Sequence, residues 1–146
     1  MKFSVNQQDL QQALNYCQGV IEKRSTLPIL SNVLLDVQKS KLTITATDLD
    51  LIFIHRINNI EVLEEGKITT ISSLLYDIVR KIPEGSMIEM ELNNNDQMEI
   101  KSGQSNFDLP CLPDEDFPEM SSGEMPCGFS IGSDDLARLI DKAKFA

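Results

Sequence analysis

Between Phe3 and Leu109 the chain spells out one order of elements twice: a short strand, a helix, then three strands. That repetition constrains the fold more than any single motif does. In the first copy residues 3–5 read as an edge-like strand. Asn6 can cap the helix that follows, because its side-chain oxygen accepts a free amide proton of the first turn. Leu10, Ala13, Leu14, Cys17 and Ile21 recur at three- and four-residue spacing and make one apolar stripe. The other face carries Gln8, Gln11, Gln12, Asn15 and Gln18, polar and almost uncharged, with Lys23 and Arg24 where the helix is expected to end. On the residues alone, such a basic pair reads as a complement to the helix dipole. Pro28 has no amide proton and fixes φ, which suits the first residue of a strand. Residues 30–37, 42–46 and 51–57 then alternate or run apolar, with Val, Ile and Thr enriched, and residues 39–41 and 47–50 form the turns.

The second copy opens after a stretch at residues 60–63 and a Glu64, Glu65, Gly66 turn. Residues 67–71 are its strand, and Ser72 or Ser73 can cap its helix. Leu74, Leu75, Ile78, Val79 and Ile82 supply the apolar stripe, and Pro83 with Gly85 stops it. Arg80 and Lys81 sit at the end of this helix as Lys23 and Arg24 do at the end of the first. Residues 87–92, 97–101 and 107–109 read as strands, divided by turns at 93–96 and 102–103.

A further repeat lies at an offset of 126 residues: FSVNQQDLQQAL from Phe3 matches FSIGSDDLARLI from Phe129. Phe, Ser, Asp and Leu are identical, and Val5/Ile131 and Leu14/Ile140 are conservative. Residues 114–128 between the copies are acidic and rich in Pro, Gly and Ser, which is linker composition. The strand and helix of a new domain are therefore expected at the end of this chain, as part of a longer repeat protein.

Four motifs, MKFSV at the start, RSTLPILSNVLL with its TATDLD turn, IPEGS from Ile82 and LPDEDFP from Leu112, stand in one order over most of the chain. In that order and spacing the chain resembles the bacterial replicative sliding clamp family, the beta subunit of DNA polymerase III. The resemblance implies an α+β DNA clamp fold, with two βαβββ repeats per domain, helices on one face and antiparallel sheets on the other. It implies a first clamp domain over residues 1–124 and the truncated opening of a second over 125–146. The parent protein would be a polymerase processivity factor: a head-to-tail homodimeric ring that encircles duplex DNA and slides by sequence-independent contacts. The polymerase III alpha subunit and the clamp loader would engage it through domains outside these residues.

Charge must be squared with that reading. A net charge of −10 repels phosphate. Yet residues 84–124 hold eleven acids against Lys101 alone, while residues 1–83 balance nine acids with nine bases. A chain with segregated acids can still show nucleic acid a neutral or basic face. Arg24 matches the family's basic position at the first helix end and is the leading DNA contact, with Lys23, Arg80 and Lys81 drawn in by location. Ser73 stands where some relatives carry a basic residue. The resemblance maps the dimer interface to residues 105–109, where Phe107 and Leu109 match apolar contacts and Gln104 and Asn106 replace basic residues of some relatives. This chain alone would lack the opposite surface and be monomeric.

Catalytic chemistry finds no foothold. His55, the only histidine, lies in a strand pattern without a partner base, and Asp48 and Asp50 read as a turn rather than a metal loop. No phosphate loop, GxSxG or nucleophile-base pair is present. Cys17, Cys111 and Cys127 suit neither a disulfide framework nor a zinc site. No cofactor, metal or enzymatic activity is expected. No signal or membrane-spanning pattern is visible, and a soluble cytoplasmic protein is expected. The competing reading is a β-rich protein-interaction adaptor that does not bind DNA.

Overall fold

The computed structural model describes residues 1–21, 27–93, 95–118 and 127–145. In chain order these form β1 (Lys2–Asn6), α1 (Gln7–Cys17), β2 (Asn32–Gln38), β3 (Lys41–Thr47), β4 (Ile52–Asn58), β5 (Glu61–Glu64) and β6 (Gly66–Ile71). α2 (Ser72–Val79), β7 (Met87–Leu92), β8 (Gln97–Ser102), β9 (Ser105–Leu112) and α3 (Ser133–Ala143) follow. The βαβββ order is thus present twice, as β1-α1-β2-β3-β4 and β6-α2-β7-β8-β9, with β5 between.

The strands form one antiparallel sheet in the order β4-β3-β2-β6-β9-β8-β7-β1-β5. Each repeat gives its first strand to the other repeat's meander: β6 pairs with β2, and β1 pairs with β7. Neither half can therefore be built from one repeat alone. The two halves meet where β6 pairs with β9, in a ladder of only two residue pairs, Thr69 with Leu112 and Thr70 with Cys111. Two threonine hydroxyls reinforce it, Thr69 Oγ1 donating to the Leu112 carbonyl and Thr70 Oγ1 to that of Pro110.

The core lies between the helices and the sheet. From α1 it takes Leu10, Ala13, Leu14 and Cys17, and from α2 Leu75 and Val79. Strands contribute alternate residues, among them Phe3, Val5, Leu35, Leu42, Ile44, Ile88, Met90, Met98 and Ile100. This is the period-two pattern of a sheet buried on one face. Leu74, expected in the α2 stripe, is exposed, and the stripe runs through Leu75 and Val79 instead. One backbone approach forces a glycine: a Cβ on Gly66 would lie 2.7 Å from Met1 Cβ.

Three local expectations change. Pro28 opens a 3-10 turn, Pro28–Ser31, and the strand starts at Asn32. A proline fits the first helical position as well as a strand start, since that amide needs no partner. α1 ends at Cys17, one turn before Ile21. At α2 neither serine caps: the N-cap position falls on Ile71, with no side-chain cap bond. Asn6 does cap α1, its Oδ1 accepting from the Gln8 amide at 2.9 Å.

The last described segment departs most from expectation. α3 forms, but residues 127–132 are not a strand, and every described residue from 127 to 145 is exposed. The expected domain division at 124/125 lies outside the described residues.

Candidate nucleic-acid and assembly surfaces

α1 and α2 lie side by side and antiparallel, fixed by three polar clips. Gln7 Nε2 donates to the Val79 carbonyl at 2.9 Å, joining the start of α1 to the end of α2. Gln18 Nε2 donates to Ser72 Oγ at 2.8 Å, joining the opposite ends. Midway, Tyr76 Oη donates to Asn15 Oδ1 at 3.3 Å. This accounts for Ser72: its hydroxyl serves the neighbouring helix rather than its own first turn. Gln8, Gln11, Gln12, Asn15, Tyr76 and Glu84 line a shallow trough along the pair. Its surface is mostly neutral amide, as the α1 sequence suggested.

Arg80 and Lys81 follow α2 beside the start of α1, whereas the chain runs on toward Lys23 and Arg24 from the opposite end of α1. Eleven residues of α1 separate the two ends, about 16 Å at 1.5 Å per residue. Lys23 and Arg24 themselves lie outside the described residues. Arg80 is half exposed, and its Nε pairs with Asp77 Oδ1 at 3.1 Å. Lys81 is exposed and makes no ion pair among the described residues. Ser73 is exposed at the start of α2.

The acidic excess has a definite location. On β7, β8 and β9, Glu89, Glu91, Glu99 and Asp108 alternate with buried Ile88, Met90, Met98, Ile100 and Leu109, so these acids face away from the helices. Glu91 stands opposite Glu99, and Glu99 opposite Asp108. Such like-charge pairs repel. Lys2 relieves them at Glu91 (2.7 Å) and Lys101 at Glu99 (2.8 Å). Hydrogen bonds from Lys101 and Asn106 hold the Glu99 carboxyl below its usual range, and the same Glu99 contact raises the Lys101 ammonium. The helix face and the sheet face are thus electrostatically distinct.

The strand expected at the assembly surface is open. β9 pairs with β8 along its length, but β6 reaches it only at Cys111 and Leu112. Ser105 to Leu109 keep one edge with no ladder partner among the described residues. Along it Phe107 is half-buried, while Leu109 is 2% exposed and committed to this chain's own core. Of the two apolar residues expected there, Phe107 is the one with surface to offer. Gln104 is exposed in the tight turn with Gly103, and exposed Asn106 donates Nδ2 to Glu99 Oε1 at 2.9 Å.

Asp48 is occupied by its own turn, its Oδ1 accepting from the amides of Asp50 (3.0 Å) and Leu51 (2.7 Å). Leu49 takes a left-handed φ of 82° in that turn. His55 is half-buried on the edge strand β4 and stacks on Phe53, with ring centroids 6.2 Å apart. Tyr16 closes this group at 5.9 Å from Phe53 and 6.4 Å from His55. The sequence reading passed over this trio. The available signals were the alternate positions of Phe53 and His55 and the place of Tyr16 off the α1 stripe.

With this geometry in view, the comparisons with known proteins are decisive. The family model for the DNA polymerase III beta subunit, N-terminal domain, matches residues 1–121. The chain belongs to this family. It is 40% identical over 147 residues to the beta sliding clamp of Caulobacter vibrioides, covering all of this chain and 39% of that protein. A beta sliding clamp sequence of Vibrio harveyi is 36% identical over 146 residues, with both chains wholly covered. A crystal structure of the Caulobacter crescentus beta sliding clamp superposes with a TM-score of 0.94 at 39% identity, over all of this chain and 39% of that one. The chain thus spans about two-fifths of the length of the Caulobacter clamps. The α+β clamp fold stands, with the sheet on one side and α1 and α2 on the other. No helix among the described residues is long and apolar enough to cross a membrane.

Proposed function

We propose that the parent of this chain is the processivity factor of a bacterial replicative polymerase, a non-catalytic ring that holds duplex DNA by topology. The supporting observation is the contrast between the two faces: neutral amides along α1 beside Tyr76 of α2, carboxylates on the sheet. A sliding contact needs weak, sequence-independent phosphate attraction. A neutral face with cations at its ends supplies that, and an acidic outer face discourages adhesion elsewhere. In this reading residues 1–124 are the first clamp domain and 125–146 open the second. Arg24, Lys23, Arg80 and Lys81 meet phosphate from the two ends of the helix pair. Because Asp77 shares the charge of Arg80, Lys81 contributes more of the attraction at its end.

The same reading makes the open edge of β9 one side of a head-to-tail dimer contact, built on Phe107 and flanked by Gln104, Asn106 and the buried Leu109. The polymerase alpha subunit and the clamp loader are partners of the parent. The test uses the full-length ring on circular DNA at low and moderate salt. Arg24→Ala and the pair Arg80→Ala/Lys81→Ala are expected to shorten retention without unfolding the protein. Phe107→Ala is expected to dissociate the dimer in sedimentation, and the present chain is expected to sediment as a monomer. Retention equal to wild type at both salts would refute the DNA assignment. A Phe107→Ala dimer as tight as wild type would refute the interface.

A further inference from the structure

Two of the amides that line the trough between α1 and α2 have their oxygens already taken. The Val79 carbonyl can only accept, so the Gln7 atom that meets it at 2.9 Å is Nε2. The second proton of that nitrogen goes to Gln11 Oε1 at 2.6 Å. The Gln11 oxygen is thereby held by Gln7, and its Nε2 is left without a partner among the described residues. One turn on, Asn15 Oδ1 accepts from Tyr76 Oη at 3.3 Å and leaves Nδ2 in the same position. Gln11 and Asn15 both line the trough, about 6 Å apart along the helix axis. Gln12 differs, with its Nε2 turned to Tyr16 Oη at 3.4 Å. The arrangement has a cost: Gln7 is fully buried, and with both amide protons committed its Oε1 has no partner among the described residues. A buried acceptor left bare is unfavourable, and such departures concentrate at functional sites.

We propose that Gln11 Nε2 and Asn15 Nδ2 donate hydrogen bonds to the backbone phosphates of duplex DNA, an uncharged contact that adds affinity without adding salt dependence. With their oxygens occupied, these two side chains present only donors. A phosphate offers acceptors alone and offers them at every step, whereas a base edge mixes donors and acceptors in an order set by sequence. The pair therefore suits the backbone and ignores the bases. Lysine and arginine bind phosphate by releasing counterions, at a slope of about −0.9 in log K against log salt for each phosphate neutralised. A neutral amide neutralises none and leaves that slope alone. Glu84 is the one charged residue in the trough lining among the described residues. Its carboxylate repels phosphate and keeps the contact weak, as sliding requires.

The inference rests on the reading that duplex DNA passes along the helix face, and the experiment separates the two. The full-length ring is titrated over a range of salt with a short linear duplex, which threads the closed ring from its end. Gln11→Met/Asn15→Leu removes both donors at nearly the same side-chain size. It is expected to weaken binding about five- to tenfold at every salt, with the slope of log K against log salt unchanged. Glu84→Gln is expected to tighten binding about twofold, most at low salt. Arg80→Ala/Lys81→Ala should instead flatten the slope. Wild-type affinity in a Gln11→Met/Asn15→Leu protein that still forms the ring, or a loss that vanishes as salt rises, would overturn the proposal, as would a Glu84→Gln ring that binds no better. A slope untouched by the helix-end variant, with the amide variant still weakened, would overturn the basic-end assignment alone.

Discussion

The motif that opens this chain occurs again near residue 129, and the two copies fold differently. α1 spans Gln7–Cys17 and α3 spans Ser133–Ala143, starting and stopping at equivalent positions under the 126-residue offset. The strands before them part company: Phe3 is 1% exposed in β1 between β5 and β7, and Phe129 is 90% exposed in no strand. The difference follows from where hydrogen bonds close. A helix satisfies its amides within four residues, whereas a strand depends wholly on neighbours. α3 also carries more local charge support than α1, whose first turn holds Asp9 alone and whose last turn holds no base. Asp134 and Asp135 lie in the first turn of α3 and Lys142 in its last, and Arg138 pairs with Asp135 and Lys144 with Asp141. The first copy is held by the sheet it packs on, the second by its own sequence.

The sharpest way to probe that contrast is thiol chemistry. Burial pushes the Cys17 thiol up to about 12, while Cys127, just ahead of the second copy, is exposed. Against an ordinary value of 9.0, this cuts the Cys17 thiolate fraction about a thousandfold at pH 8. An aromatic disulfide reagent should therefore titrate Cys127 quickly and reach Cys17 and Cys111 only on unfolding. More than one fast equivalent would mean that the first copy opens readily. The sign of the pH dependence follows too: the folded state keeps the Cys17 proton longer than the unfolded chain. This contribution is intact below about pH 9 and declines as pH rises toward 12, by at most about 1.4 kcal/mol per pH unit.

Next in size is a pair of truncations. Leu10 is fully buried and its counterpart Leu136 is 45% exposed. Leu10→Ala should cost about 2–5 kcal/mol in denaturant unfolding, and Leu136→Ala within about 0.5 kcal/mol. Comparable losses would show that α3 is covered in solution. The smallest effect concerns the caps. Asn6→Ala should cost about 1 kcal/mol, since it removes the bond to the Gln8 amide. Gly132 offers no side-chain cap, so Gly132→Asn should strengthen α3 by a few tenths of a kcal/mol, visible as raised helicity with no change in global stability.

The same division explains what could be read from the sequence. Features set by a few neighbouring residues were legible: the Asn6 cap, the α1 stripe through Cys17, the Asp48 turn and the order of strands. Features set across the fold were not. Ser72 reads as a cap until Gln18, distant in sequence, claims its hydroxyl. Pro28 suits a strand or a helical first turn equally, and only the docking of β2 on β6 decides where the strand starts. Phe129, Ser130 and Ile131 carry the pattern of β1 without its neighbours. For the candidate surfaces, the neutral face of α1 was apparent from its glutamines. That Arg80 and Lys81 follow α2 beside the start of α1 was not, because no local signal fixes how α1 and α2 align. The commitment of Leu109 to the core was hidden likewise, since alternation does not tell which face a strand buries.

The two-pair ladder between β6 and β9 has a mechanical meaning. The β3–β4 ladder spreads a load over seven residue pairs, whereas pulling the two halves of the sheet apart loads two pairs and two threonine hydroxyls. Hydrogen bonds that share a load along a strand resist it together, and a short ladder has few to share it. The nine-stranded sheet therefore has a built-in compliant line, at which it can flex or splay while each half, interlocked by the other repeat's first strand, stays intact. Bending imposed from outside would be absorbed at Thr69 and Thr70 before it strained the helix pair.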